Sequence, residues 1–266
     1  MRDVTYLRPR TLSEAVQLYR TTPGCRPLAG GTDLMVMLHA RSLRPEPRAV
    51  LDLWSLAELK GIRRDDGMLE IGAAESYTGI IRSADVQKRL PALAAAARTI
   101  GAAQIQNRGT LGGNLANASP AGDTLPVLLA CDVVVVTDRR SIPIDMFFTG
   151  YRKTALQADE LITAVRFPLG REVAFRKVGT RAAQAISKIV MAVSRHPGRI
   201  AIGSVAEVPL RARRAEAALE EGDVEGAIVA VADDIRPIDD VRSTAAYRRA
   251  VTQNVLRGLL DAFTRG

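Results

Sequence analysis

Two segments of the chain hold residues whose types and spacing could bind an anion. The first is Pro27-Leu28-Ala29-Gly30-Gly31-Thr32-Asp33-Leu34, a glycine pair followed by a helix-like stretch through Leu38. Glycine permits positive φ and close backbone approach, and successive N–H groups beside a helix N-terminus supply positive potential. This is the chemistry of a phosphate cradle, although a Gly-Gly pair alone is more often an ordinary turn, and the spacing is neither GxGxxG nor a Walker loop. The second segment, NRGTLGGNLANASPAGD from Asn107 to Asp123, gathers a glycine pair, three short amides, two hydroxyls and a carboxylate. A long polar stretch of this kind is either a surface loop or a ligand loop, and the composition favours the ligand reading. Thr110 and Asn114 bracket Gly112 and Gly113 and can donate to phosphate oxygens, while Asp123 can accept from a ribose hydroxyl. Two cradles suit a pyrophosphate, which has oxygens to satisfy on both sides.

Other chemistries find little support. Cys25 and Cys131 are the only cysteines, and an iron–sulfur cluster needs about four thiolates. His39 and His196 stand alone, which argues against a zinc site, and no Ser or Cys lies at a spacing that suggests a hydrolase triad. No catalytic residue and no metal ligand is therefore assigned. Lys plus Arg outnumber Asp plus Glu by 37 to 29. The arginines are scattered, and aromatics are only 4% of residues, too few to stack exposed bases, so nucleic acid is set aside. A docking face for an acidic partner is the better use of that charge.

The elements that must position these segments follow from pattern. At 266 residues, 47% apolar and 25% charged, the chain has the balance of a folded protein with more than one core. Its longest apolar runs are interrupted by Pro126 and Asp132, too short to span a bilayer. The start, Met1 to Arg10, lacks the apolar middle of a secretion signal, so a cytoplasmic location is expected. Thr11 and Glu14 form a capping-box pair ahead of a helix with Leu12, Ala15, Val16 and Tyr19 on one face. Arg48 to Leu53 reads as a strand, Asp66-Gly67 as a tight hairpin, and Pro91 to Ile100 and Asp123 to Cys131 as helices. Val133 to Thr137 and Glu160 to Phe167 read as strands, with a turn from Asp138 to Ser141 into Ile142 to Ile144. A boundary is expected at Pro168 to Glu172. Beyond it come a strand at Val173 to Val178, a helix from Arg181 to about Val193, a strand at Arg199 to Val205 and then helices. The fold class is α+β.

The strings LAGGTDL (Leu28 to Leu34) and NRGTLGGNLANASPAGDTLP (Asn107 to Pro126) closely resemble the FAD-binding medium subunit of the molybdenum hydroxylases, the xanthine dehydrogenase and carbon monoxide dehydrogenase family. The likeness continues through Phe147-Phe148-Thr149-Gly150-Tyr151, Phe175-Arg176-Lys177-Val178-Gly179 and the stretch from Asp239 to Arg249, covering nearly the whole chain. It implies a two-lobed, vanillyl-alcohol-oxidase-like (PCMH-type) FAD-binding domain, with lobes at 1–56 and 57–172. A small α+β C-terminal domain of the CO dehydrogenase flavoprotein type would occupy 173–266. It also implies that Pro27, Leu28, Ala29, Gly30, Gly31, Thr32, Asp33 and Leu34 meet the FAD pyrophosphate from one lobe. Thr110, Gly112, Gly113 and Asn114 would meet it from the other, and Asp123 would hold the adenosine ribose. Ile100 and Ile162 would line the flavin or adenine pocket, and Lys188 would approach the isoalloxazine ring. One departure stands out: between Met191 and Arg199 the chain has only Ala-Val-Ser-Arg-His-Pro-Gly, where most relatives carry a longer hairpin, which implies a trimmed C-terminal sheet.

The resemblance implies an electron-transfer flavoprotein, with the molybdopterin and 2Fe-2S clusters on a large and a small partner subunit, as a dimer of heterotrimers. Electrons would leave to NAD+, a quinone or oxygen, and the substrate oxidised on the large subunit would be a purine-like heteroaromatic, an aldehyde or CO. Two alternatives stay open. A stand-alone FAD oxidase would need a substrate base or a covalent flavin link, for which neither His39 nor Cys25 is well placed. The other is a non-catalytic nucleotide-binding protein. Trp54, Tyr77 and Cys131 read as packing residues, and Arg242 and Arg248 as structural charges.

Overall fold

A computed structural model of the protein describes residues 4–181 and 184–265. The first unit is a three-stranded parallel sheet in the order β1-β3-β2. It is built from β1 (Thr5–Leu7), α1 (Leu12–Thr21), β2 (Cys25–Leu28), α2 (Leu34–His39) and β3 (Ala49–Asp52). The capping pair works as the sequence predicts, with one shift. The Glu14 N–H donates to the Thr11 hydroxyl at 3.2 Å, but the Glu14 carboxylate returns to the Arg10 N–H at 2.7 Å, one residue before the cap. α1 lays the buried Ala15 on the sheet, with Leu12, Val16, Leu18 and Tyr19 packed around it. All four residues of β3 are buried, as a central strand requires.

The second unit is a five-stranded antiparallel sheet in the order β4-β5-β10-β6-β7. β4 (Ile62–Asp65) and β5 (Met68–Gly72) meet at Asp66-Gly67, whose φ angles of 40° and 72° are the two positive values that a tight primed turn needs. Six helices follow: α3 (Tyr77–Arg82), α4 (Ala84–Arg89), α5 (Pro91–Arg98), α6 (Ala103–Arg108), α7 (Leu111–Asn117) and α8 (Leu125–Ala130). Then come β6 (Val134–Thr137), β7 (Ser141–Pro143), the small ribbon β8 (Phe148–Gly150) and β9 (Lys153–Thr154), and the central β10 (Ile162–Pro168). The stretch from Asn107 to Asp123 is thus not one long loop. Most of it is the last turn of α6 and the whole of α7, because Thr110 caps α7 and Leu111 and Leu115 are fully buried.

The third unit corrects the sequence reading. β11 (Val173–Val178) is as expected, but the helix expected from Arg181 to Val193 is not there: β12 (Ile189–Ser194) is a strand, and Ala182 and Ala183 lie outside the described residues. With β13 (Arg199–Gly203) and β14 (Leu210–Arg211) these strands form a four-stranded antiparallel sheet. Every residue of β12 is buried, so the apolar run shows no period-two alternation to mark it as a strand. Ile189, Met191 and Val193 face a core shared with α9 (Arg213–Glu220), α10 (Val224–Asp234) and α11 (Ala245–Arg265), while Ala192 and Ala201 join the core of the second unit. The short connection between β12 and β13 closes as a turn, with Ser194 opposite Arg199 and the Ser194 hydroxyl donating to the Pro197 carbonyl at 2.5 Å.

Candidate functional site

The first glycine segment leaves the carboxyl end of an edge strand in a parallel sheet, the usual side for ligand binding in such sheets. Pro27 and Leu28 are the last residues of β2, paired with Leu51 and Asp52. Ala29, Gly30, Gly31 and Thr32 make the bend, with Gly31 at φ 78°, Asp33 stands at the cap of α2 without a side-chain cap bond, and Leu34 opens the helix. The Gly31 and Asp33 carbonyls accept from Met35 and Met37. Among the described residues no group accepts from the N–H of Gly30, Gly31, Thr32, Asp33 or Leu34. Five consecutive amides without acceptors on a half-exposed bend form an anion nest.

The second segment meets the first at Gly30. A Cβ on Gly30 would lie 1.8 Å from the Arg108 carbonyl oxygen and 3.1 Å from Gly109 Cα, so only glycine allows this approach. The Arg108 Nε also donates to the Gly30 carbonyl at 3.4 Å. The backbone of the second segment has a different task from that of the first. Leu111, Gly112, Gly113 and Asn114 donate their N–H groups to Glu75 O, Ala73 O, Thr110 Oγ1 and Thr110 O. Gly112 is small because α7 lies flush on Ala73, where a Cβ would come within 2.7 Å of that residue's Cβ and carbonyl oxygen. What this side offers a ligand is side chains. The Thr110 hydroxyl accepts from Gly113 and keeps its proton to donate, and the Asn114 carbonyl accepts from Thr124 at 2.7 Å, leaving its NH2.

Beneath both segments lies Tyr77. Its N–H donates to the Gly109 carbonyl at 3.0 Å, and its ring lies against Gly109. Its hydroxyl is buried without a hydrogen-bond partner. Burial pushes the phenol well above its ordinary pKa, eased by the neighbouring Thr124 and reinforced by Asp123 and Asp33.

Asp123 is 8% exposed and sits where the second and third units touch. One oxygen takes the Lys177 ammonium of β11 at 2.6 Å, and the other accepts from the Ser187 hydroxyl. Lys177 also donates to the Thr99 carbonyl at 3.0 Å. Burial raises the Asp123 carboxyl above its usual range, while Lys177 and Ser187 pull it down. Ile100 packs half-buried on the second core, and Ile162 is buried at the start of β10. Lys188 is not on a helix: it directly precedes β12, with its ammonium 4.8 Å from the centroid of the Tyr247 ring. Sequence reasoning missed Arg108, Tyr77 and Lys177 as site residues. Arg108 could have been found, since it adjoins Gly109 inside the motif, but nothing local marks Lys177 as the partner of Asp123. A groove of about 600 Å³ lies elsewhere, between α1 and the turn at Asp138, lined by Leu12, Val16, Arg20 and Glu58. It includes no residue of either glycine segment, and Arg20 and Asp138 on its wall pair with each other at 2.7 Å.

The donor set fits the diphosphate of a dinucleotide, and comparison with known proteins decides which. The FAD binding domain in molybdopterin dehydrogenase matches residues 2–170, and the CO dehydrogenase flavoprotein C-terminal domain matches 173–262. The chain belongs to this flavoprotein family. It is 32% identical over 278 residues to the xanthine dehydrogenase FAD-binding subunit of Escherichia coli O157:H7, covering 97% of this chain and 94% of that one. It is 31% identical over 268 residues to the glyceraldehyde dehydrogenase medium chain of Sulfolobus acidocaldarius, covering 94% and 95%. Among solved structures it is similar to the carbon monoxide dehydrogenase of Hydrogenophaga pseudoflava that lacks the Mo-pyranopterin moiety. The TM-score is 0.90 at 31% identity, over 97% of this chain and 96% of that one. The flavoprotein subunit is thus part of an oxidoreductase, with FAD as its cofactor. Among the described residues no helix is long and apolar enough to cross a membrane, and no group of three or more His, Cys, Asp or Glu is placed to hold a metal.

Proposed function

We propose that this chain is the electron-exit subunit of a cytoplasmic molybdenum hydroxylase. In this reading it takes electrons from the 2Fe-2S clusters of a small partner subunit and hands them to NAD+, a quinone or oxygen. The substrate, a purine-like heteroaromatic, an aldehyde or CO, is oxidised on a large molybdopterin subunit, and the assembly is a dimer of heterotrimers. The observation that carries the reading is the run of acceptor-free amides from Gly30 to Leu34, held against the Arg108–Gly109 backbone. These amides bind the diphosphate, while the Thr110 hydroxyl and the Asn114 NH2 donate from the facing side. Asp123 accepts from the adenosine ribose through lone pairs that Lys177 and Ser187 leave free. When bound, FAD supplies a carrier that exchanges one or two electrons, so the polypeptide needs to contribute only position and electrostatics.

Partners are required by the same chemistry. Both cysteines are buried, and two thiols fall short of the roughly four that a cluster needs. The excess of Lys and Arg over Asp and Glu suits docking to acidic partners. Relatives of nearly equal identity carry the names of different substrates, xanthine and glyceraldehyde, as expected when the substrate pocket is on another chain. The purified full chain should be yellow, with a flavin spectrum and one FAD per chain. Its reduced form should be reoxidised by one of NAD+, a quinone or oxygen in stopped-flow mixing. A colourless chain that takes up no added FAD would remove the reading.

A further inference from the structure

The chain has a single tryptophan, and it stands where the two glycine segments meet. Trp54 follows β3 by two residues. Its N–H donates to the buried Asp52 carboxylate at 2.9 Å, and the other oxygen of Asp52 accepts from the Tyr6 hydroxyl at 2.5 Å. The Trp54 backbone, through its own N–H, is thereby tied to β1 and to the carboxyl end of β3. Two cations lie over its ring: the Arg108 guanidinium carbon at 3.9 Å from the centroid and the Lys60 ammonium at 4.3 Å. Arg108 is also the residue whose carbonyl fills the space beside Gly30 and whose Nε donates to the Gly30 carbonyl. It grips the first unit twice, through its backbone at Gly30 and through its side chain at Trp54. Lys60 shares the ring, but among the described residues its ammonium makes no hydrogen bond or ion pair with either glycine segment.

We propose that the Arg108–Trp54 stack is a positioning device for the flavin cradle. It holds the open amides of Gly30 to Leu34 against the face made by Thr110 and Asn114, so that FAD meets both sides already in register. The side chains of α2 give the bend little cover, because Met35 and Val36 at its start are 43% and 64% exposed. Order supplied before binding is order the ligand does not have to impose, and it appears as affinity. Trp54 and Arg108 are positioning residues here, not ligands. The proposal rests on the FAD reading above.

The test is FAD titration of the full chain freed of flavin, followed by flavin fluorescence and by the visible circular dichroism of the bound flavin. Trp54→Ala and Arg108→Ala should each raise the FAD Kd about tenfold, within the range expected for loss of one cation–π stack. The double variant should be little worse than either single one, since both remove the same interaction. Trp54→Phe and Arg108→Lys should recover most of the affinity, and Lys60→Ala should stay within about twofold of wild type, since Arg108, and not Lys60, joins the ring to Gly30. If Trp54→Ala does not fold, the Arg108→Ala and Arg108→Lys pair decides the matter alone. Wild-type affinity in folded Arg108→Ala would overturn the clamp, as would an equal loss in Lys60→Ala. A wild-type chain that bound no FAD would remove the cofactor reading and the clamp together, whereas tight wild-type binding with unaffected variants would remove the clamp alone.

Discussion

At Gly30 a single hydrogen atom separates a cradle from a clash. The obstacle to a larger residue is the Arg108 carbonyl, a backbone atom that cannot rotate away, so Gly30→Ala must move one segment off the other. Overpacking of this kind costs about 1–3 kcal/mol. Gly30→Ala should therefore lower the unfolding free energy measured in urea by that amount and weaken FAD strongly. Unchanged FAD affinity would show that the contact does not shape the site. Asp123 makes the opposite case, a residue valued for its charge. Its partner Lys177 is only 10% exposed at the side chain, and removal of one member of a buried pair costs about 3–5 kcal/mol because the other stays charged and unpaired. Asp123→Ala should lose that stability in denaturant as well as FAD affinity, and adding Lys177→Met should restore much of the stability but not the affinity. If the double variant bound FAD as wild type does, Asp123 would be structural only. Both residues were legible as polar or glycine positions in recognisable strings. What the sequence could not show was how such residues are used: Gly112 of the second pair serves helix packing on Ala73, and Asp123 is shared with a lysine 54 positions away.

Elements were legible where one face is wet and hidden where both are dry. The Thr11 cap, the Asp66-Gly67 turn and β10 follow local rules of capping, turn chemistry and alternation. β12 does not, because α8 covers one face of its sheet and α9 to α11 the other, leaving an apolar run with no period. α7 was hidden for a different reason: glycine and asparagine disfavour helix, and only the burial of Leu111 and Leu115 overrides them. The turn between β6 and β7 carries a testable device. Glu160 accepts from the Thr137 hydroxyl at 2.8 Å, from Arg140 at 2.9 and 3.0 Å and from the Gln157 N–H at 2.8 Å. The Arg140 guanidinium holds its carboxyl at about 2 against the opposing effect of burial, helped by Gln157 and Thr137. A carboxyl whose folded pKa lies below its unfolded value stabilises fully above the unfolded value and loses that contribution as pH falls through the folded one. Wild type should thus lose stability between about pH 4.5 and pH 2 in excess of Glu160→Gln, which should be weaker at pH 7 and flatter below it. Parallel curves of urea midpoint against pH would contradict this.

At the scale of the molecule, the question is what makes the third unit one body with the second. Two kinds of contact cross the seam. One is apolar: α8 buries all six of its residues, and Ala192 and Ala201 of the third sheet join that core. The other is ionic. Asp132, at φ 48° between α8 and β6, takes Arg171 at 2.9 Å and Arg199 and Arg211 at 3.1 Å, and Asp145 takes Arg211 at 3.0 Å and Arg213 at 2.6 Å. Fully burying one Leu or Val is worth roughly 1.5–3 kcal/mol, so the side chains of α8 together outweigh an ionic cluster whose central carboxylate is a quarter exposed. The apolar seam should therefore carry the coupling, with the charges setting the orientation. Asp132→Asn keeps a residue type that tolerates left-handed backbone and removes only the charge. It should lower stability by about 2–3 kcal/mol, somewhat less than a fully buried pair would cost, since Arg211 is 5% exposed and keeps Glu216. Calorimetry should still show one transition at a lower temperature, because the alanine faces of β12 and β13 remain seated on α8. Two resolved transitions in that variant would mean that the charges, and not the apolar seam, join the flavin-binding units to the sheet that supplies Lys177.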